Sequence, residues 1–460
     1  MFSSVVQQRA GDRLKKIVLT CPILDKLLLV KLASLRDALS LGINRHIFYG
    51  WVMLGVGGLA VFASGPAQSH IFSVYITPIS NDLAISRTSI ASAYAAATLL
   101  AAFGLPYVGR LIDRVGVRRV VLGVAIAFGC ANFAFGHVAG LLSLALGFGA
   151  LRFLGQGSLM LSSNYLVSQW FSRRRGIALS LTALGFSASM ALHPPLAQWL
   201  IDTVGWRESW FWLGILTWAL LVPMVAVLVQ NRPEDIGLVP DGNRAARTEL
   251  SAAVDGMDVG LTLHAAIRTR SFWIIALGLA SLSMLVTGIF FHQVSVFSLQ
   301  GLEARTATRA FAISAAVMVV TMPAFGYMLD RIPTRPMFAS ALLIMSASLI
   351  SLAWVTDLAS MIVFSAVFGL ANAGLQSHYS FMWPRYFGRR HLGSIQGAAQ
   401  TIGVVGASIG PLPLGLAFDL WGSYTEALYL LAALPVTCAI MLLFLRPPNL
   451  GGTNSNRSSP

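Results

Sequence analysis

Charge is scarce in this chain. Asp, Glu, Lys and Arg make up 11% of its 460 residues, while 56% are hydrophobic. That balance excludes an ordinary soluble globule, whose charged fraction is about twice as large. Cysteine is scarcer still: Cys21, Cys130 and Cys438 are scattered without metal-ligand or redox spacing, so ordinary packing is their role. No glycine-rich loop runs into Lys-Ser or Lys-Thr, which removes ATP as a direct energy source. A nucleophile–base pair, a metal cluster and a cofactor loop are likewise missing, so an enzyme is not expected and no cofactor is implied.

What is present is apolar sequence in long runs. A helix needs about 20 such residues to cross the hydrocarbon core. The runs predict twelve helices over 47–75, 88–107, 118–138, 140–170, 176–202, 207–229, 271–297, 306–329, 335–356, 358–384, 393–418 and 423–445. The net charge of +14 would suggest nucleic-acid binding in a soluble protein, but its placement decides otherwise. Of the 32 Lys and Arg, 27 fall on the side of the amino terminus, four on the other, and Arg152 alone lies inside a span. Such a bias puts both termini in the cytoplasm. The expected partners are a lipid bilayer and a small-molecule substrate, with no nucleic acid.

The chain is also internally repeated, which constrains its architecture. Pro106-Tyr-Val-Gly-Arg-Leu-Ile-Asp-Arg-Val-Gly-Val-Arg-Arg119 returns as Pro323-Ala-Phe-Gly-Tyr-Met-Leu-Asp-Arg-Ile-Pro-Thr-Arg335, an offset of 217. Pro194 and Pro411, and Asp202 and Asp419, keep that register. The Gly-x-Leu-x-Asp-Arg-x-Gly-x-Arg-Arg loop at 109–119 resembles the signature loop of the major facilitator superfamily, with a weaker copy at 326–335. The resemblance covers 47–446. It implies an all-α membrane protein of twelve transmembrane helices in two pseudo-symmetric six-helix bundles, 47–229 and 271–446. A cytoplasmic linker at 230–270, a basic leader at 1–46 and a tail at 447–460 complete the organisation. Residues 1–46 read either as an amphipathic helix on an anionic leaflet or as a poorly ordered leader. In the family the charged loop latches the bundles while the transporter is open to the outside. The resemblance therefore implies a gating role for Asp113, Arg114, Arg118, Asp330 and Arg331.

Arg152 is the most informative residue. It lies about a dozen residues inside the fourth span, in Arg-x-x-Gly-Gln-Gly157. A charge there costs at least about 3 kcal/mol and must face protein or water. It reads as an anion or proton-linkage site, or as a structural arginine satisfied by helix carbonyls. Gln156 shares its face, and Asn164 continues the polarity. In the second half Asn372 and Gln376, four apart on the tenth span, and Gln400 on the eleventh are candidate lining residues. Tyr379 and Trp383 read as belt residues. No Asp or Glu falls in the middle of a predicted span. Proton coupling would then fall to His70, His193, His292 or His378, each of which is also readable as packing. The small residues around Pro194-Pro195 in the fifth span and Gly403–Pro413 in the eleventh predict a pairing on which the halves rock.

The linker string Arg232-Pro-Glu-Asp-Ile-Gly-Leu-Val-Pro-Asp-Gly242 resembles the oxalate/formate antiporters and monocarboxylate transporters. Those groups carry an arginine before the eighth-span proline, where this chain has Met322, and the antiporters a lysine where it has Ala399 or Gln400. With Arg152 as the single fixed cation, one negative charge on the substrate suffices. The expectation is an inner-membrane (plasma-membrane) transporter, functional as a monomer, for a small organic anion such as a monocarboxylate. It acts by facilitated diffusion, exchange or proton coupling. An exporter of neutral or amphipathic compounds is the alternative. A membrane sensor would need a soluble output domain, for which the 41-residue linker has no room.

Overall fold

Glycine and proline decide where the helices break and how closely they approach. A computed structural model describes residues 36–171, 174–242, 260–388 and 392–446, and within them the chain is helical almost throughout. Eleven described helices are long and apolar enough to cross a membrane. They supply the second to twelfth spans: Arg87–Val115, Val117–Phe135, Leu141–Trp170, Arg175–Val204, Trp206–Leu228, Arg270–Leu299, Ala304–Arg331, Thr334–Ala353, Leu358–Phe387, the joined pieces Leu392–Ile409 and Pro411–Trp421, and Thr425–Met441. The first span is built differently. Gly50–Ala63 and Ser69–Leu83 are two helices joined by the 3-10 turn Gly65–Ala67. This traverse was expected over 47–75 and instead continues to 83.

Two of the turns, one at each end, are very short. Gly116 (φ 88°) alone separates the second and third spans, and Gly205 (φ 84°) the fifth and sixth. A side chain would strain that backbone, and glycine does not. The two joints occupy equivalent places in two successive three-helix units, the nested repeat expected of such a half-transporter.

The small-residue stripes pack helices inside each half. A Cβ on Gly185 would come 2.1 Å from the Gly58 carbonyl oxygen, so the fifth span lies hard against the first. A Cβ on Gly410 would meet the Met284 carbonyl oxygen at 2.2 Å, which sets the eleventh against the seventh in the same way. The expected fifth–eleventh pairing is replaced: the fifth packs on the eighth and the eleventh on the second. A two-fold axis that exchanges the halves turns the fifth span into the eleventh and the second into the eighth. Each therefore meets its neighbour's counterpart rather than its own. The seventh span sits deepest, with 83% of its apolar stretch buried against 28% for the second and eighth.

Of the predicted leader, residues 36–44 are helical, and Gln230 Nε2 donates to Asp37 (2.8 Å) and Ser40 (3.0 Å), docking them on the end of the sixth span. Residues 1–35, 243–259 and the tail from 447 lie outside the described residues, as do the side chains of Asp113 and Asp330.

Candidate functional site

Proline at the second position of the 3-10 turn interrupts the first span, and Gln68 beyond it is extended (φ −88°, ψ 150°). A broken helix leaves carbonyls without backbone donors. Ala67 O accepts no backbone N–H among the described bonds outside helices, and Arg152 Nη1 donates to it at 3.1 Å. Gly155 makes this approach possible, because a Cβ there would fall 2.4 Å from the Ala67 Cβ. From Arg152 to Leu159 the fourth span widens into a π-helix, a rare geometry that concentrates at functional positions.

The rest of the pocket around Arg152 is aromatic and neutral. Its Cζ lies 5.0 Å from the centroid of the Tyr94 ring, and Tyr94 Oη shares a 2.7 Å hydrogen bond with Ser69 Oγ. Arg152 is 4% exposed, its Nε has no hydrogen-bond partner, and among the described residues it forms no ion pair. It is a buried positive charge answered by one carbonyl and one ring. Nearby, Gln68 Nε2 donates to Ser64 Oγ at 3.0 Å. The Gln156 Oε1 is buried without a partner.

Contact with the other half is mostly aromatic at this depth. Tyr94 meets Phe291 with ring centroids 4.8 Å apart, and His70 meets Phe290 at 5.7 Å. The Val294 amide donates to Ser73 Oγ at 2.9 Å. His70 Nε2 lies 3.2 Å from Ser189 Oγ, and His193 Nδ1 lies 3.3 Å from the Ser189 carbonyl oxygen.

The other sequence candidates are dispersed. Asn372 is buried with its Nδ2 unpartnered, Gln376 is half-buried, and Gln400 and Asn164 are exposed. His378 bonds the Gly374 carbonyl of its own helix at 2.7 Å and stacks on Phe338. Gln293 is fully buried, and neither side-chain polar atom has a partner. Met322 packs with Phe186, across the interface, against Met318 and Phe325.

Polar ties differ between the two ends of the molecule. At the linker end they run within each half. Arg118 donates to the Ala226 carbonyl at 2.7 Å and its amide to Asn231 at 3.0 Å, and Arg385 donates to the Leu329 carbonyl at 3.2 Å. Arg114 and Arg331 are exposed there, the latter over its own helix's Tyr327. At the opposite end ties also run between halves, beside the Arg207–Asp82 pair (2.7 Å) within the first half. Arg87 donates to Tyr424 Oη and lies 3.6 Å from the Phe418 centroid; the Thr88 amide donates to Asp419 at 2.9 Å; Arg305 pairs with Asp202 at 2.7 Å. His292 supports this group from within the second half, bonded to the Pro411 carbonyl (2.9 Å) and to Tyr424 Oη (3.3 Å).

Two six-span halves with a polar, broken-helix centre define a multi-pass membrane transporter. The superfamily follows from comparison. A family model described as Major Facilitator Superfamily matches residues 57–411 and 300–460, and the chain belongs to that superfamily. The fold is similar to the crystal structure of a bacterial homolog of the human lysosomal transporter Spinster in an inward-facing and unoccupied conformation. That match has a TM-score of 0.62 at 16% identity and covers 86% of this chain and 95% of that one. Among relatives, the MFS-type transporter pynF of Aspergillus niger is 24% identical over 71% of each chain. Monocarboxylate transporter 4 of Mus musculus is 24% identical over 86% of this chain and 83% of its own. Monocarboxylate transporter 11 of Mus musculus is 36% identical over 38% of this chain and 36% of its own. The chain is thus a transporter of the Major Facilitator Superfamily, similar at low identity or over part of its length to monocarboxylate transporters.

Proposed function

We propose that this transporter carries a small organic anion with one carboxylate, held at Arg152 and exposed to each side of the membrane in turn. The carrying observation is the charge left without a counter-charge: a buried guanidinium with a free Nε and no carboxylate partner among the described residues. Leaving such a charge unpaired costs several kcal/mol, and a bound carboxylate recovers it through charge-assisted hydrogen bonds. The relatives named as monocarboxylate transporters support the same substrate class. Gln156, Asn164, Asn372, Gln376 and Gln400 would line the path, and Asp113, Arg114, Arg118, Asp330 and Arg331 would latch the linker end when it closes. With the linker end and both termini in the cytoplasm of a plasma (inner) membrane, the polar ties at the opposite end close the outside and the substrate leaves inward.

One observation favours a second reading, export of a neutral or amphipathic compound: Met322 and Phe186 put an apolar contact on the seam. Counterflow of labelled acetate, lactate, pyruvate and oxalate in proteoliposomes separates the two. Saturable monocarboxylate exchange, with oxalate weaker, supports the anion. A folded protein that exchanges none of the four removes it.

A further inference from the structure

We propose that Arg87 is the anion's first contact at the outer mouth, and that the face of the second span below it is the lane from there to Arg152. In this conformation the second half covers both. This rests on the anion reading above and names where the substrate enters.

Four arginines lie at the end opposite the linker. Arg207 pairs with Asp82 and Arg305 with Asp202, each at 2.7 Å. Arg309 is exposed, two residues from Phe311, and so on the side of its helix away from the ring that meets His70 on the seam. Arg87 is different. It stands on the seam and has no ion pair among the described residues. Its guanidinium lies 3.6 Å from the Phe418 centroid and donates to Tyr424 Oη. Both partners are neutral, and both belong to the second half. Asp419, also of the second half, accepts from the neighbouring Thr88 amide at 2.9 Å. Opening this end must part all of these contacts. Arg87 then stays with the first half, stripped of ring and hydroxyl, at the mouth of the opened seam. A guanidinium there offers a carboxylate paired N–H donors and raises the local concentration of anions.

The same face of the second span leads inward. Ala91 lies about one turn below Arg87, and Tyr94 about 10 Å below it along the helix. Ala91 is fully buried. Gly415 of the eleventh span presses on it: a Cβ there would stand 3.4 Å from the Ala91 Cβ and 3.2 Å from the Arg87 carbonyl oxygen. Tyr94 packs on Phe291 of the seventh span and holds Arg152 over its ring. The strip thus begins at one arginine, ends at the other, and carries only a methyl group and an aromatic ring between them. When the second half withdraws, it becomes an uncharged passage between two cations. Tyr424 and Phe418 occupy the Arg87 guanidinium whenever this end is shut. An anion held at Arg87 therefore opposes closure until it has moved on to Arg152.

The test uses right-side-out membrane vesicles from cells that make the full chain and lack lactate carriers of their own, so that labelled lactate meets the end opposite the linker. Arg87→Gln removes both the lock and the cation; Tyr424→Phe removes the lock's hydrogen bond and keeps the cation. Both are expected to raise labelling of a cysteine introduced at Ser73, which the closed seam buries, by an impermeant thiol reagent. Their effects on KM for external lactate are expected to differ. Arg87→Gln should raise it severalfold and flatten its dependence on added salt, as loss of a rim charge does. Tyr424→Phe should leave it unchanged or lower it. Should Arg87→Gln fail to insert, Arg87→Lys takes its place: it keeps the charge and loses the fork, and is expected to raise KM by a smaller factor with the salt dependence intact. More labelling with an unchanged or lower KM in the Arg87 variant overturns the inference, leaving Arg87 a lock and the anion reading standing. An equal rise in KM in the Arg87 and Tyr424 variants also overturns it, because closure of the end then governs affinity. Vesicles with folded wild type that take up no carboxylate overturn both.

Discussion

Arg152 Nη1 donates to the Ala67 carbonyl oxygen at 3.1 Å, joining the widened turn of the fourth span to the break in the first. The contact needs three things together. Pro66 opens the first span, the π-helix swings the arginine inward, and Gly155 lets the two backbones close. None is demanded by membrane insertion, and all serve to hold one cation at mid-span.

Tyr94 splits into two contributions that mutation can separate. Tyr94→Phe loses the 2.7 Å bond to Ser69 but keeps a ring under the guanidinium. Tyr94→Ala loses the cation–π contact too, worth about 2 kcal/mol when desolvated. We expect a few-fold rise in KM for lactate counterflow with phenylalanine and on the order of tenfold or more with alanine. Equal effects would show that the ring does not support Arg152.

Gly155 and Gly410 tolerate no side chain. A Cβ would stand 2.4 Å from the Ala67 Cβ in one case and 2.2 Å from a backbone oxygen in the other. Overpacking of this kind costs about 1–3 kcal/mol. Alanine at either site is expected to lower the melting temperature in detergent, whereas Gly123→Ala, with nothing within 4 Å, leaves it unchanged or higher. Gly155→Ala should in addition weaken lactate binding, because it pushes Ala67 off Arg152. Three indistinguishable melting curves would contradict the packing described here.

The ties that close the end opposite the linker differ in strength. Arg305 is 68% exposed in its pair with Asp202, and solvent screening leaves such pairs little weight. Asp419 instead accepts from the Thr88 amide, beside Arg87, which rests on Phe418 and bonds Tyr424. Asp419→Asn should therefore open that end more than Asp202→Asn. Labelling of a cysteine introduced at Ser73, which the closed seam buries, reports the opening. The reverse order would place the weight of closure on the exposed pair.

The sequence announced most of the fold through composition. Apolar runs placed the spans, and the 217-residue repeat divided the halves. Arg152 stood out because a charge in an apolar run is conspicuous. Its acceptor was illegible, since a carbonyl freed where the chain becomes extended at Gln68 belongs to no side-chain type, and Tyr94 resembled any packing aromatic. Ser189 was hidden likewise among small residues. The rocking pair was mistaken because glycine stripes mark close approach without saying to which helix. Gly185 spends that approach on Gly58 and Gly410 on Met284, both within their own halves. Which way Gln400 and Asn164 face depended on helix rotation, which composition does not fix; both are exposed.

The central claim is that Arg152 is the partner of the substrate's negative charge. The most direct measurement is counterflow of labelled lactate by reconstituted wild type, Arg152→Lys and Arg152→Ala, each shown to be folded and inserted to the same extent. Lysine keeps the charge but not the forked geometry. The expected result is saturable exchange by wild type, a loss of roughly tenfold or more in Arg152→Lys, and exchange at background in Arg152→Ala. Undiminished exchange in Arg152→Ala would contradict the account and leave the arginine a structural brace on Ala67.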